Sequence, residues 1–246
     1  MPFEWHSYPE ANGAAEACAA RVARQIEEAL GGRGYATLAL SGGRTPRPMF
    51  ARLAAMKLPW DSIHVFWVDE RSVPPTDSES NYKSAAETLL MPARVPQHMI
   101  HRIRGELTAE AAARGYAREI REFFGLGPGE MPEFDVVHRG MGPDGHTASL
   151  FPGQPLIDDR QGVAAAVFVE KKQMWRVTLL PGPLLAARGT VMLVTGEDKA
   201  QAVRSVFNEP YDPHRYPAQL GAREGHGVVW FLDGAAARLL EGAEAG

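Results

Sequence analysis

Short apolar segments alternate with helical segments along most of the chain, and this alternation limits the possible folds more than any other feature. The apolar segment 35–40 is bounded by glycine and is typical of a buried strand. A helix is predicted over 46–56, followed by a strand over 63–68 and a helix over 81–91. This order predicts right-handed βαβ units and a mostly parallel sheet.

The pattern continues to the end of the chain. Further helices are predicted over 12–30, 108–124, 199–207 and 235–241, and further strands over 99–103, 134–138, 191–195 and 228–232. Asn12 is expected to cap the first helix, and Gly31 with Gly32 to end it. Two more strands, 163–169 and 176–180, are predicted as an antiparallel pair, so a small additional β portion is expected beside the parallel sheet.

Composition excludes several classes of protein. The 246 residues are 45% hydrophobic and 23% charged, which is the composition of a folded globular protein, and we expect the alternating strands and helices to form one α/β domain over residues 1–246. Lys and Arg number 26 against 30 Asp and Glu, so no basic excess favours a nucleic-acid partner. The chain has no long apolar run and no signal peptide pattern, so we expect a cytoplasmic protein without a membrane partner. A single cysteine, Cys18, excludes an internal disulfide and is expected to be a buried apolar residue rather than a reactive thiol.

A ligand site is expected in the loops that leave the strands, because ligands of parallel sheets bind outside the carboxyl ends of the strands. The first loop reads Ser41, Gly42, Gly43, Arg44, Thr45 and then proline. Its glycines allow a close approach of the backbone to a ligand, and the next helix offers free N–H groups to an anion. The spacing is neither that of a P-loop nor that of a dinucleotide fingerprint. The loop is therefore interpreted as an anion site or as an ordinary tight turn.

The second loop carries three charges directly after a buried strand, at Asp69, Glu70 and Arg71. Such charges are costly unless they are paired or bound to a ligand. Arg71 is suited to binding a phosphate through its two terminal nitrogens. The alternative is a solvated loop with an Asp–Arg ion pair. Downstream, Ser80 or Asn81 is interpreted as a helix cap rather than a ligand contact.

The third loop, 140–149, contains three glycines and a proline, followed by His146 at a position where a helix could begin. A neutral imidazole there can act as a general base. Asp144 either orients this imidazole or only serves the Asp-Gly turn. The other seven histidines lack such a setting and are interpreted as bystanders, and no spacing of residues predicts a metal site.

The fourth loop places Lys199 in the first turn of a helix, where the helix dipole disfavours a cation. An anionic ligand would explain this position, and so would the neighbouring Glu197 or Asp198. Arg176 is a weaker candidate for ligand binding or a surface charge. Taken together, the four loops indicate a small phosphorylated, hydroxylated ligand that undergoes proton-transfer chemistry.

Several of these motifs also resemble a known family in the same order along the chain. The stretch GMGPDGHTASLFPG at 140–153 is the most specific of them, and SGGRTP at 41–46, VDER at 68–71 and SNY at 80–82 accompany it. Asp77, RVT at 176–178, Gly196 with Lys199, and WFLD at 230–233 extend the similarity over almost the whole chain. The chain resembles the 6-phosphogluconolactonase family, which is grouped with glucosamine-6-phosphate isomerases.

This resemblance implies a modified doubly wound, Rossmann-like sheet flanked by helices. It implies a hydrolase without cofactor or metal that opens 6-phospho-D-glucono-1,5-lactone to 6-phosphogluconate, in the second step of the oxidative pentose phosphate pathway. A small phosphorylated sugar lactone is thus the implied partner, and a monomer or weak homo-oligomer is expected. His146, oriented by Asp144, matches the catalytic position. The positions expected around the substrate are Ser41, Gly42, Gly43, Arg44, Thr45, Asp69, Arg71, Arg176 and Lys199.

The chain departs from the usual family pattern at two places. His138 and Arg139 stand where an apolar pair is usual, and Leu185 stands where an asparagine is usual.

Two other functions are alternatives to the lactonase. A glucosamine-6-phosphate deaminase would need a carboxylate base and usually has an aromatic residue where Arg71 stands and Asn-Glu-Pro after its histidine loop. A sensor that binds sugar phosphates without turnover usually carries a DNA-binding module, and no spare segment is expected here.

Overall fold

The computed structural model describes residues 3–240, and its main feature is a seven-stranded parallel sheet. The strands lie in the order β1, β10, β9, β6, β2, β3, β5, and every neighbouring pair is parallel. Their bounds are Glu4–Tyr8 (β1), Ala36–Leu40 (β2), Ile63–Trp67 (β3), Ile100–His101 (β5), Val136–Arg139 (β6), Thr190–Val194 (β9) and Val228–Asp233 (β10). The expectation of a mostly parallel sheet is confirmed.

Helices cover both faces of the sheet. They are Ala11–Arg33 (α1), Arg47–Ala55 (α2), Asn81–Ala85 (α3), Ala109–Phe124 (α4), Pro181–Ala186 (α5), Ala200–Asn208 (α6), Leu220–Arg223 (α7) and Gly234–Ala237 (α8). Alternate residues of β9 enter two separate apolar clusters: Val191 and Leu193 lie in the cluster that contains α1, whereas Met192 and Val194 pack with α6, α7 and α8. A strand that is buried on both faces in this way reads as a continuous apolar run.

A second, smaller sheet lies beside the parallel one. It consists of Asp69–Arg71 (β4), Met174–Leu179 (β8) and Ala164–Val169 (β7), in the order β4, β8, β7, with both pairs antiparallel. The predicted antiparallel pair is therefore confirmed. The chain leaves β3 and enters β4 one residue later, so the main sheet leads directly into the small one.

The strand order reverses between β2 and β6. From β2 the chain builds outward through β3 to β5, whereas β6, β9 and β10 follow on the other side. A crevice opens outside the carboxyl ends of the strands at such a switch point, and ligands of doubly wound proteins bind there. The loops after β2 and β6 are 41–46 and 140–149, so the fold brings two of the four predicted loops together.

Several predicted boundaries are wrong, for identifiable reasons. Gly31 and Gly32 do not end the first helix; it continues to Arg33 and ends at Gly34, whose φ of 78° only glycine adopts readily. Glu10 rather than Asn12 precedes its first turn. The helix predicted over 235–241 extends over Gly234–Ala237, and residue 241 lies outside the described part of the chain.

Four of the strands and α-helices were not predicted. Strand β1 pairs with β10 at the edge of the sheet, α5 begins with a proline in its first turn, α7 is a short helix over Leu220–Arg223, and the charged segment Asp69–Arg71 is a strand rather than a loop. No helix within residues 3–240 is long and apolar enough to cross a membrane.

Candidate active site

A cavity opens at the switch point and continues outward over the small sheet. Its inner chamber, of about 260 Å³, lies at the carboxyl ends of β2, β6 and β9, and its outer chamber has about 660 Å³. Ten of the predicted site residues line the inner chamber: Ser41, Gly42, Gly43, Arg44, Thr45, Asp69, Arg71, His146, Arg176 and Lys199. The structure therefore brings together all the candidate residues except Asp144, which contacts His146.

The 41–46 loop requires its two glycines for different reasons. Gly43 has a φ of 102°, in the left-handed region that favours glycine. A Cβ on Gly42 would lie 1.9 Å from Oδ1 of Asn81, so a side chain there would displace the amide. The N–H of Ser41 donates to the carbonyl of His138 at 3.1 Å, which joins this loop to the end of β6. The loop is thus held against both β6 and the start of α3.

The 140–149 loop makes a tight turn around the candidate base. The N–H of Gly142 donates to the carbonyl of His146 at 2.9 Å, and a Cβ on Gly142 would lie 2.0 Å from the imidazole. No helix begins at His146; instead Thr147 and Leu150 form an isolated bridge. The expectation of a helix start at this position is wrong, so no helix dipole acts on the imidazole.

His146 is oriented by a carboxylate and an aromatic ring. Its Nδ1 lies 2.5 Å from Oδ1 of Asp144, and its ring stacks on Phe151 with centroids 4.1 Å apart. Lys171 donates to the other oxygen of Asp144 at 3.3 Å. Partial burial acts to raise the pKa of Asp144, but the hydrogen bond and the charge of His146 outweigh it and hold that pKa well below its ordinary value. The geometry therefore places the carboxylate of Asp144 on Nδ1 of the imidazole and holds the ring in one orientation.

A buried polar cluster supports the floor of the site. Ser149 donates to the carboxylate of Asp69 at 2.6 Å, and Nη1 of Arg176 lies 3.8 Å from the same carboxylate. Arg176 is only 7% exposed, so the alternative of a surface charge is wrong. Burial lowers the pKa of Arg176, and the negative charge of Asp69 opposes this shift. The pair thus accounts for Asp69, one of the three charges at the exit of a buried strand.

Glu70 holds the segment that connects β4 to α3. Its carboxylate accepts the backbone N–H groups of Arg71, Asn81 and Tyr82 at 2.7–2.8 Å and the hydroxyl of Ser80 at 3.0 Å. Ser80 also caps α3, as predicted, by accepting the N–H of Lys83 at 3.1 Å. Four donors on one buried carboxylate fix both ends of the loop that carries Arg71.

Arg71 and Lys199 approach the cavity from opposite sides. Arg71 donates to the backbone carbonyl of Glu79, which orients its guanidinium along the outer chamber. Lys199 immediately precedes α6, and its ammonium lies 2.8 Å from Asp198. The carboxylate of Asp198 thus offsets part of the repulsion between the ammonium of Lys199 and the positive end of the helix dipole. Both cations, together with Arg44 and Arg176, line the inner and the outer chamber.

Two buried polar side chains of the inner chamber were not predicted as site residues. Asn81 is expected only as a helix cap and His138 only as a bystander, yet both line the chamber and are at most 2% exposed. The available signal was the polar His138 at the end of a strand predicted to be buried. Within residues 3–240, no group of three or more His, Cys, Asp or Glu side chains could hold a metal ion.

The parallel sheet and the cation-lined cavity at its switch point define an α/β protein suited to a small anionic ligand. Residues 9–230 match the family model of glucosamine-6-phosphate isomerases/6-phosphogluconolactonase, and the chain belongs to this family.

Relatives and solved structures agree with this assignment. A 6-phosphogluconolactonase of Synechocystis is 37% identical over 213 residues, which are 86% of this chain and 88% of that protein. A 6-phosphogluconolactonase of Rattus norvegicus is 36% identical over 95% of this chain and 91% of that protein. The crystal structure of a 6-phosphogluconolactonase from Shewanella baltica has a TM-score of 0.83 and 29% identity, covering 94% of this chain and 97% of that one.

Proposed function

We propose that this chain hydrolyses 6-phospho-D-glucono-1,5-lactone to 6-phosphogluconate, as the second step of the oxidative pentose phosphate pathway. The observation that carries the proposal is the pair of His146 and Asp144 beside a chamber lined by Arg71, Arg176 and Lys199. The names of the relatives support the same substrate. A proton acceptor next to a cluster of cations suits a reaction that adds water to a phosphorylated substrate.

The phosphate is proposed to bind where the two chambers meet. Arg71, Arg176 and Lys199 border both chambers there, and so do Gly43 and Arg44 of the first loop. Guanidinium groups form two parallel hydrogen bonds to a phosphate, and an ammonium adds a compact charge. Binding the phosphate would hold the lactone ring in one orientation toward His146.

His146 is proposed to act as the general base. The carboxylate of Asp144 accepts a hydrogen bond from the N–H group at Nδ1, which leaves the lone pair of Nε2 free. Nε2 takes a proton from a water molecule as the water oxygen attacks the lactone carbonyl carbon, C1. The bond between C1 and the ring oxygen then breaks, and the imidazolium returns the proton to that oxygen. The product is the open-chain acid.

The rate enhancement required of these groups is modest. The carbonyl of a lactone is already electrophilic, and the leaving alkoxide stays attached to the product. General base catalysis contributes about 10²–10⁴-fold, and fixing the substrate through its phosphate adds to this.

The proposal is tested by comparing two lactones in the wild-type protein. We expect rapid hydrolysis of freshly prepared 6-phosphogluconolactone above the spontaneous rate and much slower hydrolysis of unphosphorylated gluconolactone. Arg71→Ala is expected to raise KM for the phosphorylated lactone about tenfold or more while leaving the slow reaction of the other lactone unchanged. Folded protein without activity on either lactone would overturn the proposal, and release of ammonia from glucosamine-6-phosphate would identify the deaminase instead.

A further inference from the structure

The polar side chains that border only the outer chamber differ in charge from those that border only the inner chamber. Arg47, Lys83 and Lys172 border only the outer chamber, together with Glu79 and Glu87. The polar side chains that border only the inner chamber are mostly uncharged, at Ser41, Thr45, Asn81, His138 and Thr195, and the one carboxylate among them, Asp69, lies against Arg176. A phosphate held at the junction would therefore leave the uncharged, hydroxyl-bearing part of its ligand to the inner chamber.

His138 is a buried side chain without a partner in this inner chamber. It is 1% exposed, and neither of its ring nitrogens has a hydrogen-bond partner among the residues that the structure describes. The ring of Phe50 lies edge-on to it, with centroids 6.0 Å apart. Burial lowers the pKa of His138 to about 3, so the imidazole is neutral at physiological pH.

Such a side chain is expensive unless a ligand uses it. A buried polar group that lacks its hydrogen bond destabilises the folded protein, and an apolar side chain would pack against Phe50 without that cost. A neutral imidazole offers one donor and one acceptor, which matches a hydroxyl group, since a hydroxyl can accept and donate at once.

We infer that His138 binds a hydroxyl group of the sugar portion of the substrate and thereby contributes to substrate specificity. The inference rests on the function proposed above, because it requires a polyhydroxylated ligand with its phosphate at the junction of the chambers. Asn81 supports the same division: Nδ2 donates to the main-chain oxygen of Asp69 at 2.8 Å, while the buried Oδ1 has no partner within residues 3–240.

The experiment compares His138→Leu with the wild type on 6-phosphogluconolactone and on its 2-deoxy, 3-deoxy and 4-deoxy analogues. We expect His138→Leu to lower kcat/KM for the parent lactone about tenfold. For one of the deoxy analogues the two proteins should be equal within about twofold, because the hydroxyl that His138 binds is already missing. His138→Asn, which keeps a donor and an acceptor, should recover part of the loss.

Phe50→Leu is the matched control, because it alters the packing against the same imidazole and leaves the hydrogen-bonding groups in place. Its effect should be the same for all four lactones. If His138→Leu lost kcat/KM equally on every analogue, or lost none on the parent lactone, the inference would be overturned. Turnover of the parent lactone by the wild type would still support the lactonase function in that case.

Calorimetric binding of 6-phosphogluconate and its deoxy analogues gives the same comparison without turnover. A selective loss there supports the role of His138 even if the lactonase assay fails. The absence of a selective loss overturns it.

Discussion

At the residue scale, the proposed chemistry of the site depends on the contacts that hold the imidazole of His146 in place. Asp144 occupies Nδ1, Phe151 covers one face of the ring, and the close approach of Gly142 leaves no room for another side chain. The imidazole is consequently held in one tautomer and one orientation, which is what a general base needs before it meets its substrate.

Replacing Asp144 by asparagine tests this orientation. An amide can donate a hydrogen bond to Nδ1 and so favour the wrong tautomer, and we expect kcat to fall about 10²-fold or more with a small change in KM. Steady-state kinetics with 6-phosphogluconolactone measure both constants. Lys171→Met is the control: its exposed ion pair with Asp144 is worth little, so an effect below about threefold is expected. Equal losses in the two variants would contradict the role of Asp144.

His138 leads to a prediction about stability and pH. Its pKa is about 3 in the folded protein, whereas an unfolded histidine titrates near 6.5. The unfolded chain therefore binds a proton that the folded chain does not, and this lowers the free energy of unfolding as the pH falls from 7 toward 3.

Urea unfolding of the wild type and of His138→Leu at pH 7 and pH 5 measures this contribution. The wild type should lose about 2 kcal/mol more than His138→Leu between the two pH values. Equal losses would mean that His138 is protonated in the folded protein or exposed to solvent.

At the element scale, the short strand β4 transfers the chain from the main sheet to the small one and brings charged groups with it. Asp69 and Arg176 face each other from β4 and β8, and Glu70 holds the loop that leads to α3. The position of Arg71 therefore depends on hydrogen bonds to the carboxylate of Glu70, a described residue that lines neither chamber of the cavity.

Glu70→Ala tests this dependence. The change leaves three buried N–H groups and one hydroxyl without their acceptor, so we expect a loss of about 3 kcal/mol or more in the free energy of unfolding. Chemical denaturation measures it. Glu87→Ala is the matched control, because Glu87 is half-exposed and makes only a long ion pair with Arg47, and its effect should stay within about 0.5 kcal/mol. A similar effect of the two changes would refute the role of Glu70.

The strands also show which parts of the fold could be predicted from the sequence and which could not. The strands 36–40 and 63–67 were predicted because their apolar runs are local signals. Strand β1 was missed because its pairing partner β10 lies more than two hundred residues away along the chain. The charges of 69–71 suggested a loop, since the groups that contact the carboxylate of Asp69, Ser149 and Arg176, come from distant segments.

The candidate site was predicted more completely than the fold that surrounds it. Its residues follow strands, and parallel strands bring their carboxyl ends to one edge of the sheet. The sequence marked His138 only as a polar residue at the end of a buried strand, and the unsatisfied atoms of His138 and Asn81 appear only in the folded arrangement.

At the scale of the whole molecule, the formal charge is −4, yet the cations Arg44, Arg71, Arg176 and Lys199 line one cavity at the switch point. This separation favours the capture of an anionic substrate at that site. The central claim is that His146 performs the chemistry while these cations hold the phosphate.

The most direct test is the rate of 6-phosphogluconolactone hydrolysis by His146→Ala at saturating substrate, with the spontaneous rate subtracted. We expect a loss of about 10²-fold or more in kcat, with calorimetric binding of 6-phosphogluconate and the thermal midpoint both close to those of the wild type. Turnover by His146→Ala at the wild-type rate would contradict this expectation.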